Sequence, residues 1–523
     1  MQKKEWLKSL ILGVAAFGAL LLWLMNRPSP PPDEAVKVTG ERLFAAFHDP
    51  AEVKSLAIVR GDRENGEPSR IELVNDRGTW RIPSRGAVPA DNAERLSSVL
   101  SPLIDLTLLD EIPSGIEGDE EARVTEFHRR CSLLDPERAL GEDRNYAGIR
   151  LTVIGTNDER FVDLLIGSVP EESSARRDIY YVRIPGQNEV WTVDFAVDSA
   201  SDSAQNSGAQ TSERAAPYAE RLSTNPLDWM NRDLLRISRW NIARLAFFEY
   251  KVAPDGAFEP VGYRELKQDP DLALDRVWSQ LRRVRFAEDG TLEEGSQKEG
   301  SQKEGALEEL PEGSIADGER VNEAADALGH LEIADFERKP DPLPALFRDR
   351  APIQELSAQK EALAKFGFFI ADHDPLHPES SDPLLVGAGG TIRLTMTDGV
   401  ALELIFGSLA DANTGANMSA KGEGSAKGEG KGKNRRLLVR VHFDAEHFPP
   451  PELLPTPDDA DEKERERIAS ENRLRESEQA LNLEQGQKNA RHLARRFDDW
   501  FYSIPEETYQ RLLVREENTG FAK

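Results

Sequence analysis

Apolar and polar positions along the chain follow two rhythms. Period-two stretches rich in β-branched and aromatic residues predict strands. Ser55-Leu-Ala-Ile-Val-Arg60 and Arg244-Leu-Ala-Phe-Phe-Glu249 are of this kind. Ile149-Arg-Leu-Thr-Val153 leads through a Gly-Thr-Asn-Asp turn into Phe161-Val-Asp-Leu-Leu-Ile-Gly-Ser168. The same order returns as Ile392-Arg-Leu-Thr-Met396, a Thr-Asp-Gly turn and Leu402-Glu-Leu-Ile-Phe-Gly-Ser408. A third strand follows each hairpin, at Ile179-Tyr-Tyr-Val-Arg183 and Leu437-Leu-Val-Arg-Val441. Helical spacing places Leu96, Val99, Leu100, Leu103 and Ile104 on one face, behind a capping-box spacing of Asp91 and Glu94. Its counterpart runs from Val321 to Ile333, with Ala324, Ala325, Leu328 and Leu331. Further matches are Phe127 to Pro136 with Phe366 to Pro375, and a closing Asp-Trp at Asp228-Trp229 and Asp499-Trp500.

Weak matches in one conserved order predict internal duplication. The expected fold class is α+β: an N-terminal transmembrane helix followed by two repeated units, residues 41–236 and 237–523. Each should pack a helix on a mostly antiparallel sheet, because turn residues between alternating strands favour hairpins. Polar inserts interrupt this plan. Ser199 to Ala216 is Ser/Ala/Gln-rich, about 293–316 carries a doubled Gly-Ser-Gln-Lys-Glu, and 411–434 is Gly/Lys-rich. These last two read as loops, since they lack the apolar area that offsets ordering entropy. Residues 458–496, with sparse Ile468, Leu474 and Leu481, read as a charged helical insert in the slot that 199–216 fills in the first unit.

The start of the chain obeys neither rhythm. Ser9 to Met25 is an uncharged apolar run, extended to Leu7 if Lys8 snorkels. At about 1.5 Å per residue, residues 7–25 reach about 28 Å, close to a hydrocarbon core of roughly 30 Å. Trp6 and Trp23 stand near its ends, and Lys3, Lys4 and Lys8 precede it. The positive-inside bias then keeps the N-terminus in the cytoplasm and the body outside a bacterial inner membrane, in the periplasm. Residues 1–26 form this anchor and 27–40 a Pro-rich spacer, stiffened by Pro28, Pro30, Pro31 and Pro32. A cleaved signal peptide shares the basic start, but Met-Asn-Arg-Pro-Ser-Pro after the run lacks a small-x-small cleavage pattern.

Charge narrows the partners. Lys and Arg number 66 against 94 Asp and Glu, a formal net charge of -28. With no basic stripe beyond the first residues, nucleic-acid binding is not expected. Cys131 is the single cysteine, so no intramolecular disulfide can form.

Candidate chemistry is thin. His373-Asp-Pro-Leu-His377-Pro-Glu379 is the densest group of metal-type ligands, but Pro375 and Pro378 bar a helix that would present both histidines. Gly422 to Lys433 lacks phosphate-loop spacing, since Asn434 follows Lys433. Cys131 with His128 could suggest a thiolate pair, and Trp229, Trp500, Phe501 and Tyr502 a binding patch. The plainer readings are a small buried apolar residue and a core. Glu120-Glu121 is one of many carboxylate pairs expected on solvated faces. No GxSxG, HExxH or CxxC pattern appears. No catalytic, cofactor-binding or metal-binding residue is therefore assigned, and no cofactor is expected.

The anchor, the strand Val53 to Val59, Gly78-Thr-Trp80-Arg-Ile, the helix after Pro89-Ala-Asp91, Leu134-Asp-Pro136, Leu165-Ile-Gly-Ser168 and Tyr180-Tyr-Val-Arg183 form one pattern. That pattern resembles the bacterial family called domain of unknown function 4340, and is similar to its long, planctomycete-like members. The resemblance covers most of the first unit and, more faintly, the second through Trp500-Phe-Tyr-Ser-Ile-Pro505. It implies a membrane-tethered extracytoplasmic protein, often encoded beside gliding-type ABC transporter components, and brings no catalytic residues. The long charged inserts depart from the family pattern. The expectation is a non-enzymatic scaffold or accessory protein of a membrane complex. It would meet the lipid bilayer through residues 7–25, with ABC transporter subunits or other membrane proteins as partners. The alternative is a periplasmic ligand-binding or hydrolytic module with its site between the two repeat units.

Overall fold

A computed structural model describes residues 39–61, 67–114, 121–171, 178–196, 216–252, 257–268, 278–286, 318–376, 382–410, 433–457 and 461–514. The expected anchor at 7–25, most of the spacer, the inserts at 293–316 and 411–432, and His377 and Glu379 lie outside the described residues. Among the described residues no helix is long and apolar enough to cross a membrane.

The fold is α+β with large antiparallel sheets. The first stretch carries β1 (Val53–Arg60), β2 (Ser69–Asp76), β3 (Thr79–Ile82), β4 (Val88–Pro89), α1 (Ala93–Ile104), β5 (Leu108–Ile112), α2 (Glu121–Arg130), β6 (Ile149–Gly155), β7 (Arg160–Ile166), β8 (Ile179–Arg183) and β9 (Val190–Asp194). The second carries β10 (Ile242–Val252), β11 (Phe258–Gln268), β12 (Trp278–Arg285), α3 (Gly318–Gly329), β13 (Asp335–Arg338) and α4 (Leu343–Arg348). It continues with β14 (Phe368–Ala371), β15 (Leu384–Gly387), β16 (Thr391–Met396), β17 (Val400–Ala410), β18 (Asn434–Phe443), α5 (Glu462–Phe497), β19 (Trp500–Pro505) and α6 (Glu506–Leu512).

Strand order is β4-β3-β2-β1-β6-β7-β8-β9-β5 in one sheet and β12-β11-β10-β16-β17-β18-β19-β13 in the other. With β4 set aside, the two sequences of connections are the same. By compactness the chain divides into two units. One holds the described residues of Met1–Val53, Val59–Ser69 and Ser98–Leu222; the other holds Lys54–Ile58, Arg70–Ser97 and Ser223–Lys523.

The likeness reaches individual atoms. In the first unit Ser168 donates to the Cys131 carbonyl from its backbone nitrogen at 3.0 Å and its hydroxyl at 3.2 Å. In the second, Ser408 gives the same two bonds to the Phe366 carbonyl, at 3.1 and 3.2 Å. The glycine before each serine is required by this approach. A Cβ at Gly167 would stand 2.2 Å from the Cys131 oxygen, and one at Gly407 2.4 Å from the Phe366 oxygen. Two residues earlier, Leu165 and Ile405 enter matching clusters: Phe127, Cys131, Leu133 and Val190 around one, Phe368, Leu438 and Phe501 around the other.

This register corrects parts of the sequence alignment. Cys131, not Phe127, corresponds to Phe366. Trp500 opens β19, between β18 and β13, whereas Trp229 lies in a 3-10 turn after the first sheet's last strand. The two Asp-Trp pairs are therefore not equivalent. The charged insert forms α5 as expected, but it joins β18 to β19, the step made in the first sheet by the short turn from β8 to β9. Its slot is not that of residues 199–216, because apolar spacing in sequence cannot tell a strand from the turn beyond it. The cap of α1 is also shifted by one: the Asn92 side chain accepts from Arg95 N at 3.1 Å, while Asp91 accepts from Asn231 N at 2.8 Å.

Candidate functional site

A cleft of about 790 Å³ lies wholly within the first unit. Its floor is the β6–β8 face beside the Gly-Ser turn, and α2 with the following loop supplies a wall. Arg138, Arg150, Arg160, Arg183 and His128 line it, with Glu121, Asp135, Asp143 and Asp163.

Most of these charges hold one another. Arg150 grips Asp163 through Nε at 3.0 Å and Nη2 at 3.1 Å, and its Nη1 reaches Asp135 and Glu137 at 3.2 and 3.0 Å. Arg160 Nη1 shares the Asp163 Oδ2 with Arg150, at 2.9 Å. Asp143 is taken by Arg129, outside the lining, at 2.5 Å. Arg138 is exposed at the rim.

Arg183 differs. It is only 9% exposed, and among the described residues no carboxylate lies within ion-pairing distance of it. Nη2 donates to Leu133 O at 3.0 Å and Nη1 to Gln187 O at 3.1 Å, and Nε has no partner. Burial lowers its pKa; Asp135 works against this and Arg138 and Arg150 add to it. A guanidinium nonetheless stays charged, so the first unit keeps an unpaired buried cation at the wall of its cleft.

The second unit supplies a comparison. Leu165 pairs with Arg183 across β7 and β8, and Ile405, at the same step before its Gly-Ser, pairs with Leu438. Leu438 is fully buried in a cluster with Leu343 and Phe347 of α4 and with Leu356 and Leu363. One unit packs this position under apolar helices; the other places a buried cation there, at the wall of its cleft.

The residues weighed from sequence fall elsewhere. Cys131 is buried, and burial raises its thiol pKa despite Arg130. His128 is buried too: Nε2 meets Asn188 O at 3.0 Å, and burial lowers its pKa. The two do not form an activated thiolate pair; Cys131 is core. Trp229, Trp500, Phe501 and Tyr502 are all buried. His373 is exposed, and no metal-type cluster occurs among the described residues.

Sequence reading missed Arg183 because it closes a strand before a Pro-Gly turn and looks like an ordinary edge charge. Aligning the copies on Gly-Ser, instead of on the aromatics, would have set it opposite Leu438 and marked it.

No curated protein and no solved structure matches this chain. A family model described as Domain of unknown function (DUF4340) matches residues 80–350, more than half of the 523 residues. The chain therefore belongs to the DUF4340 family.

Proposed function

We propose that the protein is a non-enzymatic scaffold or accessory subunit of a membrane complex, held by residues 7–25 with its two modules on the extracytoplasmic side of a bacterial inner membrane. The observation that carries this reading is what recurs between the modules. Strand order, the Gly-Ser clamp and an arginine–carboxylate pair on the sheet (Arg150 with Asp163, Arg393 with Glu403 at 2.6 Å) occur in both. These are elements of architecture, and a doubled architecture multiplies surface for partners. The apolar run and the lysines before it support the membrane placement. An ABC-type transporter is the proposed complex, a reading that rests on the family resemblance alone.

Affinity purification of the full chain from detergent-solubilised membranes tests this. Stoichiometric co-purification of integral transporter subunits is expected. Recovery of the chain alone from the soluble fraction, with a mature N-terminus beyond Met25, would overturn it.

A further inference from the structure

We propose that the cleft of the first unit binds a small oxyanion, a carboxylate or phosphate group, seated on Arg183. This goes beyond the scaffold reading and does not depend on it.

Three observations converge. The cleft has room for a metabolite-sized ligand, at about 790 Å³. One of its walls holds a guanidinium that is nine-tenths buried, with no carboxylate in ion-pairing range among the described residues; Nη1 and Nη2 each spend one N–H on a main-chain oxygen and keep a second. A buried charge without a counter-ion is costly even when carbonyls accept from it, and an anion seated beside it would offset that cost. The other lining carboxylates do not fill that role. Asp163 lies between Arg150 and Arg160, Asp135 is engaged by Arg150 and by its own loop at Glu137 N, and Asp143 is bound to Arg129. Glu121 is exposed at the rim.

The internal copy argues that this arrangement is not forced by the fold. Where the first unit has Arg183, the second has Leu438 under α4, and the same Gly-Ser clamp stands beside both. The sheet tolerates an apolar residue there, so strand pairing does not require the cation, whose own bonds go to the loop carbonyls of Leu133 and Gln187. Planar guanidinium is suited to the two-oxygen edge of a carboxylate or phosphate, and exposed Arg138 at the mouth adds a second cation for the approach.

The test titrates the purified full chain in detergent with inorganic phosphate and, separately, with succinate, by calorimetry at constant ionic strength. Saturable binding of at least one probe at one site is expected, and which probe binds more tightly separates the two sources. Arg138→Ala should weaken binding a few-fold with the melting temperature unchanged. Arg183→Lys, which keeps charge but loses the fork, should weaken it by about tenfold, the scale of a charge-assisted hydrogen bond. Arg183→Met should abolish it; if that variant does not fold, the other two carry the test. No saturable binding of either probe by the wild type overturns the proposal. So does binding that is equal in the wild type and in a folded Arg183 variant.

Discussion

Lys339 is buried in the second unit at 1% exposure. Its Nζ donates to the carbonyls of Phe497, the last residue of α5, at 2.7 Å and of the following Asp498 at 3.0 Å, and lies 4.1 Å from the centre of the Phe347 ring. Burial drives its pKa from 10.5 to about 7, against the pull of Asp498 and Asp499 and with the push of Arg350. Between these values the native amine is neutral while the unfolded one is protonated. The unfolded state then binds more protons, so stability rises with pH across this window, by up to about 1.4 kcal/mol per unit. The shift sets a ceiling of roughly 5 kcal/mol, and relaxation around a buried ion lowers what is realised to about 2–3 kcal/mol. Lys339→Met keeps the volume but cannot titrate. It also leaves two carbonyls unpaired, a cost of about 1–3 kcal/mol each that does not vary with pH. Urea unfolding of both proteins from pH 7 to 10, followed by tryptophan fluorescence, isolates the slope, because every other group titrates alike in the two. The wild type should gain on the variant by about 2–3 kcal/mol over that range. A constant difference would show that Lys339 keeps its proton, and the reasoning about its burial would be wrong.

Two further outcomes follow from the sheets. Gly167→Ala and Gly407→Ala should each cost about 1–3 kcal/mol, since the added carbon meets a carbonyl oxygen at 2.2 or 2.4 Å and the Gly-Ser clamp must shift; urea midpoints within error of the wild type would refute the clamp. Glu403 sits between Arg393 at 2.6 Å and Arg440 at 3.0 Å. Burial alone would raise its carboxyl, but Arg440, Arg393 and His442 outweigh burial and hold it at about 2. Its contribution is therefore present above pH 4.5 and lost as pH falls towards 2. Glu403→Gln should be less stable at pH 7 by about 2–3 kcal/mol, below the fully buried case because both guanidiniums are partly exposed. Its acid-unfolding curve should be flatter between those pH values, and superimposable curves would count against the pair.

Much of the fold was legible because strands and helices write their periods locally. The Ile-Arg-Leu-Thr hairpins are β6–β7 and β16–β17, and the apolar faces predicted around Val99 and Leu328 are the buried faces of α1 and α3. What failed was the register between the copies. Trp229 and Trp500 share a neighbour in sequence but not a place in the sheet, and only backbone pairing shows it. The cleft was illegible for a related reason. Arg183 bonds to the main-chain oxygens of Leu133 and Gln187, and carbonyls look the same in every sequence. Lys339, in Glu-Arg-Lys-Pro-Asp-Pro, reads as a solvated charge until the chain folds over it.

The order of strands in the second sheet has a bearing on how the protein is made. β19 pairs with β18 on one side and β13 on the other, yet it emerges only after the whole of α5, near the end of the chain. During synthesis β18 waits with one flank of its amide and carbonyl groups open, an invitation to pairing with other chains. A product stopped before Trp500 would retain that open flank permanently, and premature termination here should yield aggregates, not a shortened but orderly module.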